Sequence, residues 1–427
     1  MVGFQEELKK YDKYSKVAKW KILLLKYGIF FCSKSMFNDF PYIDNYKTKS
    51  RVLNVITKDY EVYDISKDIS KIPSEVLLND GSNKSIVKLR YSESSPIEIR
   101  IENNSIVLYV ENKKVDISVE LIEKSSILNE SLPNGKGKIG DYIDIVGIDR
   151  VSILFYEGCY NWLSGKPCKF CDLHPQKQEH IPYKPTLNNI KQYDFDVEKW
   201  WKASKEEYLP NLLYSLKRVI ESSTEHIHIF FMAGNLPTCT DVWNIVEETI
   251  NFIAKEVDLK CYDTYLNVAP HDKPNRLKKM KKLGIKYVQY NLEIVEEHNF
   301  NYTCPGKLKY DEFMNKLYEA VDIYGKGYVR SNFVLGLDKI DETLEFAKEI
   351  AEKGIVFDYS VFQPKKNTPY YYKKTPDFDE VLDFTCELVK LYKEYNFKPI
   401  FCSLSSRSSI VNEIYDSKEV ESDENNN

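Results

Sequence analysis

The stretch VSILFYEGC at residues 151–159 begins with a run of mainly apolar residues and ends in a Gly-Cys step. The run predicts a buried strand, and Gly158 opens the turn that follows it. Five further strand-like runs follow, and helical patterns separate most of them. The strand-like runs are 151–157, 225–233, 260–268, 286–293, 328–336 and 356–363, and the helical patterns are 209–222, 241–255, 273–283, 310–324 and 341–353. Six strand–helix units in series predict an α/β fold with a parallel sheet, either open or curled into a partial barrel.

Three of these strands carry apolar side chains on one face and polar side chains on the other. In residues 328–336, Val329 and Phe333 alternate with Arg330 and Asn332. A parallel strand that is buried on both faces is expected to be apolar throughout. The polar faces must therefore meet water, a ligand or one another, because unpaired buried charge is costly. A partial (β/α)6 barrel with a polar interior fits this pattern, and a polar, internally paired core without a ligand is the alternative.

The chain before residue 148 has a different pattern. Its first fifty residues are lysine-rich and partly helical by pattern, and alternating strands such as 97–101 follow, with a turn at Asn103-Asn104. We predict an N-terminal α+β accessory domain over 1–140 and the barrel over 148–370. A C-terminal helical extension is expected over 371–416, and the acidic, asparagine-rich tail at 417–427 is expected to be disordered.

Composition restricts the class of protein. The 427 residues contain 60 Lys and Arg against 65 Asp and Glu, which gives a net charge of −5, and 43% are hydrophobic. This balance is that of a globular protein, and the excess of acidic residues argues against a nucleic-acid partner. The apolar run at 20–31 is too short to span a membrane, contains Lys21 and Lys26, and has no signal-peptide cleavage pattern. We therefore expect a cytoplasmic protein with no membrane contact.

Three of the nine cysteines lie together on the loop after the first predicted strand. Eight residues separate Cys159 from Cys168, and two separate Cys168 from Cys171. In a barrel, this loop lies on the face where active sites form. Thiolates bind soft metals, so the cluster predicts either zinc, with His174 as a fourth ligand, or an iron–sulfur site. The spacing lacks the paired C-x-x-C knuckles of structural zinc sites and favours a [4Fe–4S] cluster with one iron left open.

Taken in order, these motifs resemble the radical SAM superfamily over about residues 148–370. The C-x8-C-x2-C triad is a longer variant of the common C-x3-C-x2-C motif, and Phe170 occupies the aromatic position before its last cysteine. The sequence MAGNLP at 232–237 resembles the Gly-Gly-Glu-Pro turn, with Ala233 and Asn235 in place of the first Gly and the Glu. Residues 291–293, at the end of the fourth predicted strand, resemble the strand-end Glu segment of the superfamily. Residues 328–336 resemble its fifth strand, and residues 362–369 resemble the exit of its sixth strand.

The resemblance implies an enzyme that holds a [4Fe–4S] cluster on Cys159, Cys168 and Cys171. It implies that S-adenosyl-L-methionine (SAM) binds the open iron and is cleaved reductively to a 5′-deoxyadenosyl radical, which abstracts hydrogen from a small-molecule or peptide substrate. An electron donor such as flavodoxin or ferredoxin is implied as a partner. The residues expected to contact SAM are Phe170 at the adenine, Gly234 and Asn235 through the backbone, Asn267 and Glu293 at ribose or methionine, and Arg330 at the carboxylate. The alternatives are a radical SAM enzyme that modifies tRNA and a non-catalytic zinc protein.

Two histidines at the start of the second predicted strand form a separate pattern. His226 and His228 are two residues apart and share a face, a spacing that can bind metal. They lie at the opposite end of the strand from the catalytic face. We therefore expect a packed or hydrogen-bonded role for both.

Overall fold

The computed structural model describes the chain except residues 1, 33–50, 54–59, 63–72, 74, 123–125, 175–183, 224, 366, 401 and 418–427. From residue 418 onward, the tail that we expect to be disordered lies outside the described residues. The chain divides into two compact units. One contains 1–124, 377–393 and the C-terminal residues from Pro399, and the other contains 125–376 with 394–398. None of the described helices is long and apolar enough to cross a membrane.

The first unit is an α+β domain. It contains α1 (Val2–Lys10), α2 (Lys16–Tyr27), β1 (Arg51–Leu53), β2 (Tyr60–Val62), β3 (Glu75–Asn79), β4 (Lys84–Lys88), β5 (Ile97–Glu102), β6 (Ser105–Val110), β7 (Lys113–Lys114) and β8 (Ser118–Leu121). An antiparallel sheet runs in the order β4-β3-β8-β6-β5, with β7 beside β6, and β1 pairs with β2. The turn predicted at Asn103-Asn104 joins β5 to β6 with positive φ at both residues, which suits a two-residue hairpin.

The second unit is built on one sheet of seven strands in the order β15-β14-β13-β12-β11-β10-β9. The strands are β9 (Asp144–Val146), β10 (Arg150–Leu154), β11 (His228–Met232), β12 (Asp263–Asn267), β13 (Tyr287–Gln289), β14 (Val329–Leu335) and β15 (Ile355–Val361). From β10 to β15 every neighbouring pair is parallel, and only β9 is antiparallel. All six predicted strands are present, and the α/β class is confirmed.

The helices that connect these strands are α3 (Tyr160–Leu163), α4 (Val197–Ser222), α5 (Cys239–Ile253), α6 (Pro274–Leu283), α7 (Glu297–Thr303), α8 (Tyr310–Tyr324) and α9 (Ile340–Glu352). Five of them, α4, α5, α6, α8 and α9, overlap the predicted helical patterns, and the short helices α3 and α7 were not predicted. The Thr238 hydroxyl caps α5, and Gly284 ends α6 with a φ of 106°. The helix predicted from residue 209 begins twelve residues earlier, because Trp200 and Trp201 are buried in its first turns.

The last two helices, α10 (Phe378–Glu394) and α11 (Val411–Tyr415), follow β15. Leu382 of α10 belongs to the same apolar core as Leu24 of α2 and Val76 of β3. This packing differs from the predicted division of the chain, since 377–393 joins the N-terminal residues instead of forming a separate extension. The boundary after the N-terminal residues lies at 124 and not at 140.

Candidate functional site

The cysteine loop starts where β10 ends, at the carboxyl edge of the parallel sheet. Gly158 has a φ of 93°, and Cys159 stands immediately before α3. The Cys171 amide donates to the Cys168 carbonyl at 3.0 Å, which closes a turn around the half-buried Phe170. The three cysteines therefore lie on one loop at the edge where parallel sheets carry their ligand sites.

The exit of β11 packs directly against this loop. A Cβ atom added to Gly234 would lie 2.3 Å from the Gly158 carbonyl oxygen and 2.9 Å from the Cys159 Cβ. The Tyr160 amide donates to the Asn235 carbonyl at 2.8 Å, and the Asn235 amide donates to the Cys159 sulfur at 3.3 Å. Glycine is required at 234 because any side chain would push the first cysteine away.

The segment after α7 holds the other side of the cysteine loop. A Cβ on Gly306 would lie 2.5 Å from both the Asn161 side chain and the Lys166 carbonyl oxygen. The Lys169 amide donates to the Thr303 carbonyl at 2.9 Å, and the Lys169 carbonyl accepts from the Tyr370 amide at 3.0 Å. Backbone contacts from distant parts of the second unit thus fix the loop on two sides.

The three thiols are half-buried, in an environment that disfavours a free thiolate. Desolvation raises the pKa of Cys159 despite hydrogen bonds from the Asn235 and Asn161 amides, and it raises the pKa of Cys171 to about 12. A hydrogen bond with Cys304, followed by desolvation, raises the pKa of Cys168. A thiol binds a metal in its thiolate form. A bound cationic centre would stabilise the thiolates and so lower the pKa values of these three cysteines. The donor set therefore fits a soft-metal group.

A buried ion pair lies beside the thiols. Lys307 Nζ is 3.2 Å from Glu293 Oε1 and donates to the Asn291 carbonyl. Burial lowers the pKa of Lys307, but the Glu293 carboxylate and the thiols of Cys168 and Cys304 outweigh it, so the pKa is raised. A permanent positive charge therefore faces the sulfurs.

Several of the residues predicted to contact SAM lie at the carboxyl ends of the strands. Asn267 ends β12 and is half-buried, and its carbonyl accepts from the Ala233 amide at 3.2 Å. Asn235 and Glu293 also lie at strand exits, so these residues share the edge that carries the cysteines. Glu293 has a φ of 75°, and its carboxylate accepts a long contact of 3.4 Å from Asn332.

Arg330 is placed differently from the expected contact with the SAM carboxylate. It is fully buried, and it donates to both carboxylate oxygens of Asp358 at 2.7 and 2.5 Å and to the Lys398 carbonyl at 2.9 Å. Tyr265 also donates to Asp358 at 3.2 Å. The structure assigns Arg330 to this internal network, which matches the paired polar core that was the alternative for this face.

Sequence reasoning did not predict that two further residues lie beside the cysteine loop. Lys307 and Cys304 belong to a Cys-Pro-Gly-Lys segment that connects α7 to α8. Their burial beside Cys168 depends on contacts between segments more than a hundred residues apart. The Pro-Gly step was a visible signal of a tight turn, but it did not indicate what the turn packs against.

Comparisons with known proteins give the following relatives, and no family model matches the chain. A curated protein of Chlorobaculum limnaeum, bacteriochlorophyllide c C-7(1)-hydroxylase, is 20% identical over 340 residues, which cover 76% of this chain and 79% of that protein. Among solved structures, methylornithine synthase (PylB) has a TM-score of 0.39 at 13% identity, covering 63% of this chain and 72% of PylB. The [FeFe]-hydrogenase maturase HydG of Carboxydothermus hydrogenoformans has a TM-score of 0.38 at 15% identity, and coproporphyrinogen III oxidase (HemN) of Escherichia coli, described as a radical SAM enzyme, has 0.36 at 12%.

The structural matches are partial. They cover 60% of this chain against HydG and 59% against HemN, and the chain spans only about half of each of those proteins, 53% and 54%. At these identities the radical SAM superfamily stays a prediction from the sequence motifs. The chain carries its three cysteines on the loop after β10, the first strand of the parallel series, as its sequence predicts.

Proposed function

We propose that this chain is a radical SAM enzyme and that it holds a [4Fe–4S] cluster on Cys159, Cys168 and Cys171. We further propose that it cleaves SAM reductively and abstracts hydrogen from a small-molecule or peptide substrate. The observation that carries the proposal is the presence of three half-buried thiols on one loop at the carboxyl edge of the parallel sheet. When bound, the cluster and SAM supply the one-electron cleavage and the hydrogen abstraction.

The chain's own residues supply ligands, charge and positioning. Three thiolates are one fewer than the four that a complete Cys set provides, which leaves one iron for SAM. The Asn235 amide, 3.3 Å from the Cys159 sulfur, stabilises negative charge on that ligand. Lys307 adds a fixed positive charge near Cys168.

SAM binding is proposed for the strand exits around the cysteine loop. The backbone at Gly234 and Asn235, together with the Asn267 and Glu293 side chains, offers hydrogen-bonding groups on one edge of the sheet. Phe170 is half-buried between the second and third cysteines and offers an aromatic face to adenine. Arg330 has no part in this proposal because its donors are used by Asp358 and Lys398.

An external one-electron donor such as reduced flavodoxin or ferredoxin belongs to the proposal. The substrate is proposed only as a class. Since the curated relative is named as a bacteriochlorophyllide c C-7(1)-hydroxylase, bacteriochlorophyllides belong in a first screen of substrates. The net charge of −5 gives no support to a tRNA substrate.

The test is anaerobic reconstitution with iron and sulfide, followed by turnover with dithionite and SAM. We expect iron-dependent visible absorption, about four irons per chain and formation of 5′-deoxyadenosine. The Cys168→Ala variant should lose all three. Cys261→Ala, which removes an exposed thiol in the same unit just before the amino end of β12, is the matched control and should keep them.

Two results would contradict the proposal. Equal yields of 5′-deoxyadenosine from the native chain and Cys168→Ala would show that the thiols do not support the chemistry. One zinc ion per chain without iron, lost when the three cysteines are replaced by alanine, would instead identify a zinc protein.

A further inference from the structure

The amino end of the parallel sheet carries a second group of metal-ligating side chains, far along the strands from the cysteine loop. His226 precedes β11, His228 begins it, and Asp263 begins β12 directly opposite His228 in the strand register. One ligand atom from each residue can be chosen so that all three lie within 4.8 Å of one another. The parallel pairing of β11 with β12 brings His228 and Asp263 side by side, and His226 lies two residues before His228 in the chain.

The distances suit a single small ion. Asp263 Oδ2 is 3.7 Å from His226 Nε2 and 3.5 Å from His228 Nδ1. Ligands of a tetrahedral zinc with bonds of about 2.0–2.1 Å are separated by about 3.4 Å, so small side-chain movements would complete the set. The His226 side chain is 61% exposed and that of His228 is 10% exposed, which leaves one side open for a water ligand.

Charged side chains lie next to these ligands. Asp149 Oδ2 lies 3.8 Å from His228 Nε2, the ring nitrogen that faces away from Asp263, and the Asp149 carbonyl accepts the His228 amide at 2.8 Å. A carboxylate behind a ligating histidine is the usual support of a metal site. Lys286 binds Oδ1 of Asp263, which leaves Oδ2 directed toward both histidines.

We propose that His226, His228 and Asp263 bind one divalent transition-metal ion of the zinc class, with water as the fourth ligand. The ion ties the amino ends of β11 and β12 together. It is separate from the cysteine site and goes beyond the proposed function, so neither depends on the other.

The test uses the full chain with Cys159, Cys168 and Cys171 replaced by alanine, since thiols would compete for zinc. After treatment with a chelator and its removal, zinc is titrated and quantified by equilibrium dialysis. We expect one zinc per chain, with binding weakened at least about tenfold by His226→Gln and by about 10–100-fold by Asp149→Asn. His298→Gln replaces an exposed histidine on α7 and is the matched control, which should bind zinc as its parent does.

Cobalt gives an independent readout. Co²⁺ at this site should show visible d–d bands without thiolate charge transfer, and the bands should be lost in His226→Gln. If the alanine background does not fold, the same titration on the native chain with its cluster reconstituted measures zinc bound in addition to the cluster iron. Absence of stoichiometric zinc, or equal zinc binding by His226→Gln and its parent, would overturn the proposal.

Discussion

Replacing Gly234 with alanine tests whether the β11 exit positions the first cysteine. The added Cβ would lie 2.3 Å from the Gly158 carbonyl oxygen, more than 1 Å short of an ordinary contact that starts at 3.4 Å, and 2.9 Å from the Cys159 Cβ. The atoms it meets are backbone or the first side-chain carbon, so the cysteine loop itself must move. Such overpacking costs about 1–3 kcal/mol in free energy of unfolding. It should also displace Cys159 by a distance comparable to the shortfall.

The assay measures iron per chain after reconstitution, with the urea midpoint of the same preparation. Gly140→Ala is the matched control, because its Cβ would lie 2.8 Å from the Leu128 carbonyl oxygen in the same unit, remote from the cysteines. Both variants should be destabilised, but only Gly234→Ala should lose iron and 5′-deoxyadenosine formation. A Gly234→Ala protein with full iron content would refute the assigned role of this turn, and so would equal iron loss in the control.

Three further predictions follow from the second unit. Cys304→Ala should keep its iron content, since three thiols are the proposed ligand set; iron loss equal to that of Cys168→Ala, measured after reconstitution, would make Cys304 a ligand. Arg330→Met should cost about 3–5 kcal/mol, measured by urea unfolding, because it leaves the Asp358 carboxylate buried and uncompensated; an unchanged midpoint would contradict this. The pKa of His271 is lowered, first by desolvation and then by Lys316, despite Glu319. Below about pH 6.5 the unfolded chain is therefore protonated at this histidine before the folded chain is. The free energy of unfolding should decrease as the pH is lowered, by up to about 1.4 kcal/mol per pH unit. His271→Phe should flatten that slope in urea titrations between pH 7.5 and 5.5, and an identical slope would count against the assignment.

The strands and helices of the second unit were predicted from the local periodicity of apolar residues. Each of its six parallel strands was visible as a run of apolar or alternating residues, and α8 (Tyr310–Tyr324) begins and ends where its pattern does. The start of α4 was missed because Pro210 is typical of a first helical turn, whereas here it lies inside a helix of 26 residues. Burial of Trp200 and Trp201 offsets the unfavourable proline, and burial of this kind is a tertiary effect.

Pairing between distant residues could not be predicted in the same way. The alternation of β14 showed that Arg330 lies on a polar face, but its partner is 28 residues away on β15. The same holds for Lys26 of α2, whose amino group lies 2.9 Å from both Glu7 and Asp379. That contact joins α10 to the N-terminal residues. The assignment of α10 to the first unit therefore depends on a long-range pairing, which no local sequence pattern predicts.

Backbone pairing with β14 positions Glu293, the carboxylate of the ion pair beside the cysteines. Glu293 adopts a φ of 75°, a conformation that costs a non-glycine residue about 1–3 kcal/mol. The conformation is held from both sides, because the Glu293 amide donates to the Asn332 carbonyl at 3.0 Å and its carbonyl accepts from the Val334 amide at 2.8 Å. Pairing with β14 thus offsets the strain and directs the carboxylate to Lys307. The ion pair is therefore preorganised beside the thiols by the chain alone.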